Sequence, residues 1–319
     1  MTHAGYPLIS VVVCTYNRAA LLQAALESLC SQTADRSAFE VIVVDNNSSD
    51  TTRSIVNGFM QYNNIRMVSE SRQGLSHARN RGWREARGSY VAYIDDDARA
   101  PETWISCALE RISISRPAVF GGPYYPFYTT KKPRWFKDAY ASQSMGEQAM
   151  KIAGPGLSGG NMFIKRELLE RTGGFDPGLG MVAGKQGYGE ETALLKHISE
   201  AMPDQPVYYD PQIFVYHLVK PCRMTLRWNL VHFFLSGRYA LRALQTDGMT
   251  APARKSIILR DMCSVLFDLC ADILRALFFR NRTGYPLIRN CIYECCLPHL
   301  RRLGWLFEQF RRTGENTHG

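Results

Sequence analysis

The sequence lacks the cysteine patterns that bind metals or cross-link small domains. Its nine cysteines form no C-x-x-C pair and no Cys/His group with zinc-site spacing, which argues against a zinc site and a disulfide framework. Residues 1–7 contain no basic segment followed by an apolar core, so we predict no signal peptide. No uncharged apolar run reaches the roughly 18 residues of a spanning helix. These absences predict a cytoplasmic protein.

Three further signatures are missing. No Gly-x-Gly-x-x-Gly follows the first apolar run, which argues against a dehydrogenase with a dinucleotide cofactor. Residues 15–18, after that run, are Thr-Tyr-Asn-Arg, which is not a glycine-rich, lysine-containing loop for a triphosphate. Recognisable RNA-binding motifs are also absent, and we predict no nucleic-acid partner.

Positive charge is concentrated at one end of the chain. The net charge is +9, and residues 220–319 hold 16 Lys and Arg against 7 Asp and Glu. With 45% hydrophobic and 21% charged residues, the composition is otherwise that of a globular protein. A basic tail beside a neutral body indicates an anionic partner, membrane phospholipid or nucleic acid, or else a solvated cationic surface.

Strands alternating with helices are predicted over the first hundred residues. Apolar runs at 8–14, 41–44, 65–68 and 90–94 indicate buried strands, and helical patterns follow the first three. This order is typical of a mostly parallel sheet with connecting helices. Polar residues follow each strand, so we expect them to meet at the carboxyl edge of the sheet, where open α/β sheets bind ligands.

The fourth strand runs directly into three carboxylates, Asp95, Asp96 and Asp97. Crowded carboxylates repel one another at neutral pH unless a cation lies between them. Mg²⁺ and Mn²⁺ prefer carboxylate oxygens and leave coordination positions open for phosphate. We therefore predict a metal-bound nucleotide diphosphate here, with a solvated acidic turn as the alternative.

Four segments in order carry a resemblance to a known family. They resemble the nucleotide-sugar half of glycosyltransferase family 2, whose members have the GT-A fold, and together they cover about the first 100 residues. Four motifs in register are far more specific than any one of them alone. The segments are Val11-Val-Val-Cys-Thr-Tyr-Asn-Arg18, Val43-Val-Asp-Asn-Asn-Ser-Ser-Asp50, Gly74-Leu-Ser-His-Ala-Arg-Asn-Arg-Gly82 and Ile94-Asp-Asp-Asp97.

The resemblance implies a nucleotide site on these segments. Asp45 would accept a hydrogen bond from the base, which suggests UDP, although guanine also offers N–H donors. Arg79 would lie near the base or pyrophosphate. The alternatives are helix capping for Asp45 and a solvated surface position for Arg79. The implied nucleotide-binding residues are Thr15, Tyr16, Asn17, Arg18, Asp45, Asn47, Arg79, Asp95 and Asp96.

A divalent ion, Mn²⁺ or Mg²⁺, is the implied cofactor. The family's Asp-x-Asp pattern would make Asp97 a metal ligand and Asp95 a ribose contact. Because three acids stand in a row, Asp96 is a candidate for either role. His217 matches a strand-end histidine of the family and would complete the metal shell or contact the diphosphate; a structural hydrogen bond is the alternative.

Residues for the sugar, the acceptor and the chemistry are implied further along the chain. Gly159, Gly160 and Asn161 resemble a Gly-Gly-Asn strand that contacts donor sugar or acceptor; an ordinary glycine-rich turn is the alternative. Residues 184–192 are similar to the family's Gly-Glu-Asp motif, which makes Glu191 the general base and gives Glu190 a role in orienting the acceptor. Here Glu replaces Asp, and acids also favour helix N-termini through the dipole alone.

The remaining segments give weaker signals. Residues 123–153 show little periodicity and are predicted to be an irregular substrate-binding segment, a lid or a packed loop. Residues 207–211 and 213–217 are predicted to be a strand pair. Helices follow from Met224. The helix at 257–279 has a broad apolar face and a narrow polar stripe, and an apolar, arginine-flanked segment at 287–310 is broken at Pro298. Such helices require other helices, a second subunit or lipid to cover them.

We therefore expect an α/β protein with the GT-A fold, followed by a helical C-terminal region. The catalytic domain is predicted at 1–222, with a nucleotide-binding half at 1–100 and an acceptor half at 101–222; the basic helical region is predicted at 223–319. The predicted function is metal-dependent, inverting transfer of a hexose from a nucleotide donor, with UDP favoured, to a lipid-linked or polysaccharide acceptor. Peripheral attachment to the inner face of the cell membrane or a homodimer would involve the C-terminal helices. The alternatives are a sugar-1-phosphate nucleotidyltransferase and a non-enzymatic protein that binds anionic polymers.

Overall fold

The computed structural model describes residues 6–152, 156–182, 187–205, 207–244, 254–278 and 285–315. The chain divides into two compact units. The first contains Met1–Phe127 and Ala141–Leu218, and the second contains Tyr128–Tyr140 and Val219–Gly319. The domain boundaries predicted at residues 100 and 222 stay predictions.

Two sheets form the first unit. The larger has eight strands in the order β3-β2-β1-β4-β9-β6-β10-β8, and the smaller has three in the order β5-β11-β7. The strands are β1 (Ile9–Thr15), β2 (Phe39–Asp45), β3 (Ile65–Ser69), β4 (Tyr90–Asp95), β5 (Ala98–Arg99), β6 (Val119–Gly121), β7 (Tyr124–Phe127), β8 (Met150–Ile152), β9 (Asn161–Lys165), β10 (Val207–Tyr209) and β11 (Val215–Leu218).

The helices are distributed over both units. Those of the first unit are α1 (Ala19–Cys30), α2 (Thr52–Phe59), α3 (Leu75–Glu85), α4 (Trp104–Ser115), α5 (Arg166–Thr172) and α6 (Glu190–Ala201). Those of the second unit are α7 (Leu226–Leu244), α8 (Lys255–Phe278), α9 (Ile288–Cys291) and α10 (Leu297–Glu315).

The central strands of the large sheet, β1, β2 and β4, are buried on both faces. β3, β2, β1 and β4 are parallel neighbours, as the strand and helix pattern predicted. Val11 and Val13 of β1 pack into one apolar core with α1 and α4, whereas Val12 packs into another with α5 and α6. Alternate side chains of a strand point to opposite faces, which is why a continuous run of β-branched residues suits this strand. The mostly parallel sheet with helices on both sides is confirmed.

The predicted pairing of 207–211 with 213–217 is wrong, although both segments contain a strand. β10 joins β6 and β8 in the large sheet, whereas β11 joins β5 and β7 in the small one. Between them the Asp210 carboxylate accepts a hydrogen bond from Gln212 N at 3.0 Å, and Ile213 N donates to Asp210 O at 3.1 Å. This turn redirects the chain from one sheet to the other. The segment predicted as irregular at 123–153 contributes β7 and β8.

The second unit confirms the predicted helical C-terminal region. Glu308 of α10 is fully buried and accepts hydrogen bonds from Arg238 and Arg242 of α7 at 3.0 and 2.8 Å. Burial alone would raise the pKa of Glu308, but the hydrogen bonds from these arginines hold it at about 2. Glu308 is therefore an ionised cross-link between the two helices.

Pro298 does not break the last helical segment. A π-helical turn, Ile292–Cys296, connects α9 to α10, and Pro298 lies in the first turn of α10. A wide turn at this point tolerates the missing N–H of proline. Among the helices in the described ranges, none combines the length and apolar character needed to cross a membrane.

Candidate functional site

Of the three carboxylates at the end of β4, Asp96 points away from the other two. Asp96 is buried, and its two oxygens accept hydrogen bonds from Thr15 Oγ1 at 2.9 Å and Arg18 Nη1 at 2.8 Å. Burial raises the pKa of Asp96 to about 6, and the charge of Asp97 acts in the same direction against Arg18. Asp96 is thus held inside the β1 to α1 turn, and Asp95 and Asp97 both approach His217.

The small sheet brings His217 to this carboxylate pair. His217 of β11 is the register partner of Ala98 in β5, and Leu218 N donates to Asp97 O at 2.9 Å. His217 Nε2 consequently lies 3.5 Å from Asp95 Oδ2 and 3.3 Å from Asp97 Oδ1. One ligand atom from each of the three residues lies within 4.8 Å of the others. Two carboxylates and an imidazole are a donor set that accepts a divalent cation such as Mn²⁺.

Asp95 is ionised despite its partly enclosed position. Burial would raise its pKa, but the hydrogen bond from His217 and the charge of Arg79 hold the pKa well below its usual range. An ionised carboxylate is the form that coordinates a metal. The cluster therefore presents anionic oxygen at neutral pH.

Two loops at the same edge of the sheet are tied together. Asn17, with a φ of 51°, accepts hydrogen bonds from Ser49 N at 2.7 Å and Asp50 N at 3.3 Å through its side-chain oxygen. Asp50, which precedes the N-cap residue Thr51 of α2, accepts from Thr52 N at 3.0 Å. Asp45 instead accepts from Ser48 N, within its own loop, at 2.9 Å.

Tyr16 and Asn47 lie in the same two loops. Tyr16 follows β1 with a relative exposure of 38%, and Asn47 adopts a left-handed conformation with a φ of 68° after β2. The structure thus brings the predicted nucleotide-binding residues of the first two strands to one edge. Their contacts with a nucleotide stay predictions.

Arg79 is a buried residue, so the surface position considered for it is wrong. Its side chain is 5% exposed. Nη1 donates to Glu190 Oε1 at 2.7 Å, and Nη2 lies 3.6 Å from Asp95 Oδ1. Its guanidinium carbon also lies 5.2 Å from the centre of the Phe175 ring. Arg79 therefore lies between the acids that end β4 and those that begin α6.

The two adjacent glycines make room for these charged groups. A Cβ atom on Gly159 would lie 2.9 Å from both terminal nitrogens of Arg79, and one on Gly160 would lie 2.4 Å from Asp95 Oδ2. Both distances are shorter than carbon tolerates next to nitrogen or oxygen. A side chain at either position would therefore displace a neighbouring group such as Arg79 or Asp95, and sugar contacts of the two residues stay predictions.

The Asn161 side chain is engaged inside the protein. It is fully buried; Nδ2 donates to Pro123 O and Ile213 O at 3.0 and 2.7 Å, and Oδ1 accepts from Trp104 Nε1 at 3.0 Å. These bonds use both donors of the amide and one lone pair of its oxygen. The structure thus indicates a structural role for this side chain, and we leave Asn161 out of the proposed sugar site.

Glu190 and Glu191 form the first turn of α6, after Gly189, whose φ is 94°. Glu190 is buried, whereas Glu191 is partly buried. Burial raises the pKa of Glu191 to about 8, the charge of Glu190 adds to this, and Arg79 opposes it. A carboxyl group that titrates near neutral pH is suited to proton transfer. Residues 184–186, the start of the predicted motif, lie outside the described residues.

Two asparagines that sequence reasoning did not single out connect the loops around the site. Asn46 Nδ2 donates to Glu70 O and Arg72 O at 3.0 and 2.7 Å, and Asn46 Oδ1 accepts from Gly74 N at 2.9 Å. Asn80 binds both the N–H and the C=O of Phe175, at 2.8 and 2.7 Å. Both asparagines lie within the quoted motifs. Their partners are main-chain groups of residues that are distant in the sequence, and such groups leave no sequence pattern by which these hydrogen bonds could have been predicted.

Comparisons with known proteins agree with this architecture. The family described as Glycosyl transferase family 2 matches residues 10–173. Glycosyltransferase AglE of Haloferax volcanii is 31% identical over 174 residues, which are 53% of this chain and 56% of that protein. The chain thus spans just over half the length of that relative. A glucosyl-dolichyl phosphate glucuronosyltransferase from the same organism is 27% identical over 267 residues, or 81% of this chain and 83% of its own.

A solved structure has the same fold. A mannosyltransferase from Pyrobaculum calidifontis, in complex with GDP-Man and Mn²⁺, aligns with a TM-score of 0.60 and 22% identity. The alignment covers 99% of this chain and 88% of that one. The family match covers half of the chain, and the large sheet carries its motifs at the carboxyl edge. The chain belongs to glycosyltransferase family 2 and has the GT-A fold.

Proposed function

We propose that this glycosyltransferase is a metal-dependent, inverting enzyme that moves a hexose from a nucleotide-diphosphate donor to a lipid-linked or polysaccharide acceptor. The observation that carries the proposal is the convergence of Asp95, Asp97 and His217 within 4.8 Å at the end of β4. Membership of a glycosyltransferase family argues against a non-enzymatic binding protein. It equally argues against a sugar-1-phosphate nucleotidyltransferase.

Asp97 and His217 are the proposed metal ligands, with Asp95 beside them. The oxygen-rich donor set favours Mn²⁺ or Mg²⁺, and the Pyrobaculum mannosyltransferase was solved with Mn²⁺. When bound, such an ion stabilises the negative charge that develops on the departing diphosphate. The chain itself contributes Arg18, whose guanidinium is 30% exposed at the edge of this cluster and can donate to phosphate oxygens.

Asp45 is the proposed partner of the base. It is buried at the end of β2, and Ser48 N occupies one of its oxygens, while a carboxylate accepts several hydrogen bonds. The N–H of uracil between two carbonyls fits such an acceptor, so UDP is the proposed nucleotide. GDP is the competing donor, because guanine also offers N–H groups.

Glu191 is the proposed general base. In an inverting transfer, one carboxylate takes the proton of the acceptor hydroxyl while its oxygen attacks the anomeric carbon from the side opposite the leaving phosphate. Only ionised Glu191 accepts this proton. Because the pKa of Glu191 is raised to about 8, transfer is expected to become faster as the pH rises through that value. Glu190, held by Arg79, is the less suitable base.

The acceptor proposal draws on the relatives and the second unit. One relative is named for a dolichyl phosphate substrate. Within the second unit, Phe267, Leu274 and Phe278 of α8 share one helical face and are 75%, 54% and 72% exposed. The same part of the sequence carries the whole net charge of +9. An exposed apolar helical face within a C-terminal region of net positive charge suits an anionic lipid surface, and we propose peripheral membrane contact there; a homodimer is the alternative.

A thermal-shift panel of UDP-, GDP- and dTDP-sugars, each with and without Mn²⁺, tests the donor site. We expect a higher melting temperature only for nucleotide plus metal, with the largest shift for UDP-sugars, because a ligand stabilises the state that binds it. Asp97→Ala should abolish the metal-dependent shift. Asp204→Ala, which removes an exposed carboxylate, should retain it. Equal shifts without metal, or a full shift in Asp97→Ala, would refute the metal assignment.

A further inference from the structure

We infer that Arg79 is a positioning residue that fixes Glu190 and the first turn of α6 against the acidic end of β4, and thereby holds Glu191 in place as the base. The inference depends on the proposed function, since it assumes that Glu191 takes the acceptor proton. The inference places Arg79 beside Glu190 and Glu191, which begin α6, and not beside the nucleobase or the pyrophosphate of the donor.

The two arms of the guanidinium reach acids from distant parts of the chain. Nη1 donates to Glu190 Oε1 at 2.7 Å, and Nη2 lies 3.6 Å from Asp95 Oδ1. Both Arg79 and Glu190 have side chains that are less than a tenth exposed. A planar fork with fixed N–H directions can hold two carboxylates at once, which an ammonium group on a flexible stem does poorly.

The surroundings allow Arg79 little freedom to turn toward a ligand. Gly159 lies so close that a Cβ there would approach both terminal nitrogens to 2.9 Å. The guanidinium carbon lies 5.2 Å from the Phe175 ring centre and 5.9 Å from that of Tyr93. Arg79 is therefore packed on apolar and aromatic groups while its nitrogens face the two acids.

The Glu190 carboxylate is paired with the Arg79 guanidinium. Its Oε1 accepts the bond from Arg79, and for its buried Oε2 no hydrogen-bond partner is found among the residues that the structure describes. On that side, a Cβ on Gly180 would lie 3.2 Å from Oε2. A buried carboxylate that loses its cation is strongly destabilised. Loss of Arg79 is thus expected to displace Glu190 and the turn that carries Glu191.

Glu190 and Arg79 shift the pKa of Glu191 in opposite directions. Among the residues that the structure describes, the charges with the largest effect on this carboxyl after burial are Glu190 on its own helix, which raises its pKa and also interacts through a side-chain hydrogen bond, and Arg79 on α3, which lowers it. Neutralising Arg79 should therefore move the pKa of Glu191 up, and neutralising Glu190 should move it down. A residue with a merely structural role would lower activity without moving the pH at which it is half-maximal.

The test is the pH dependence of kcat for the full-length protein and its variants. We expect the midpoint of the acid limb to shift upward by about one pH unit in Arg79→Met and downward by a similar amount in Glu190→Gln. Arg79→Lys, which keeps the charge and loses the fork, should leave the midpoint near the unsubstituted value and lower kcat by roughly tenfold. Arg81→Met, on the same helix with a 44% exposed side chain, is the control and should change neither quantity.

The outcomes separate this inference from the proposed function. If Glu191→Gln retains full transfer activity, the base assignment fails and the inference fails with it. If Glu191→Gln is inactive but Arg79→Met and Glu190→Gln leave the midpoint unchanged, or move it in the same direction, the base assignment stands and the role of Arg79 is refuted. If Arg79→Met does not fold, Arg79→Lys and Glu190→Gln still test the inference, because it requires Glu190→Gln to lower the pH midpoint of kcat.

Discussion

Gly160 is the residue whose replacement acts most directly on the carboxylate pair. An added Cβ would lie 2.4 Å from Asp95 Oδ2, so either the Asp95 side chain or the turn that carries Gly160 would have to move. Asp95 is also held by His217 and Arg79, and a displaced carboxylate would disturb both. A single methyl group is therefore expected to alter the metal site without removing any of its ligands.

Gly160→Ala should weaken Mn²⁺ binding to the nucleotide-bound enzyme by at least about tenfold, corresponding to roughly 1.4 kcal/mol. Titration calorimetry with Mn²⁺ in the presence of UDP measures this change. Gly58→Ala is the matched control, because a Cβ on Gly58 meets nothing within 4 Å and alanine favours the helix. Unchanged Mn²⁺ affinity in Gly160→Ala would contradict the placement of Asp95.

The positions of some site residues were predictable and those of others were not. The acids after β4, and His217 as their companion, followed from residue chemistry and from the family resemblance. The direction of the Asp96 side chain was not predictable. Side chains alternate between the two faces of a sheet, so a face can be assigned only when the residue at which the strand ends is known. Asn161 matched a family motif, but its three hydrogen-bond partners come from segments that the sequence does not place together.

At the scale of elements, the short strands determine the site more than the long ones. The runs forming β1, β2 and β4 were recognisable because buried parallel strands are continuously apolar. β5 and β11 are two and four residues long, too short for a periodic signal, yet their pairing brings His217 beside Asp97. The predicted strand pair failed for the same reason, since local pattern does not say which sheet a short strand joins.

The proposed membrane contact involves the exposed apolar face of helix α8. Phe267→Ser combined with Leu274→Ser should reduce flotation with vesicles containing anionic phospholipid by at least about fivefold, because two exposed apolar side chains are lost from one face. Ile114→Ser, at a 65% exposed position on α4, is the control and should float like the unsubstituted protein.

The same experiment separates lipid from a second subunit. Binding that requires anionic lipid, with a monomer in light scattering, supports the membrane proposal. A dimer that dissociates in the double variant, with no flotation in either protein, would show that α8 covers a second copy of the chain instead.

On the scale of the whole molecule, the candidate site is assembled from residues spread between Thr15 and His217. Strand and helix periodicity predicted the parallel half of the sheet, and the order of motifs predicted the family. Periodicity did not predict that segment 128–140 belongs to the compact unit of the C-terminal helices, because such an excursion leaves no local pattern. The acceptor is the part of the proposed function with the least structural support. Neither the apolar face of α8 nor the positive charge of residues 220–319 identifies a particular glycan.

The decisive experiment is anomalous diffraction at the manganese edge from crystals of the full chain grown with UDP and Mn²⁺. We expect one strong peak within coordination distance of Asp97 and His217 and adjacent to Asp95, with diphosphate oxygens on its other side. A peak at another location, or a nucleotide bound with no manganese between these side chains, would contradict the proposal that the end of β4 holds the ion and the donor.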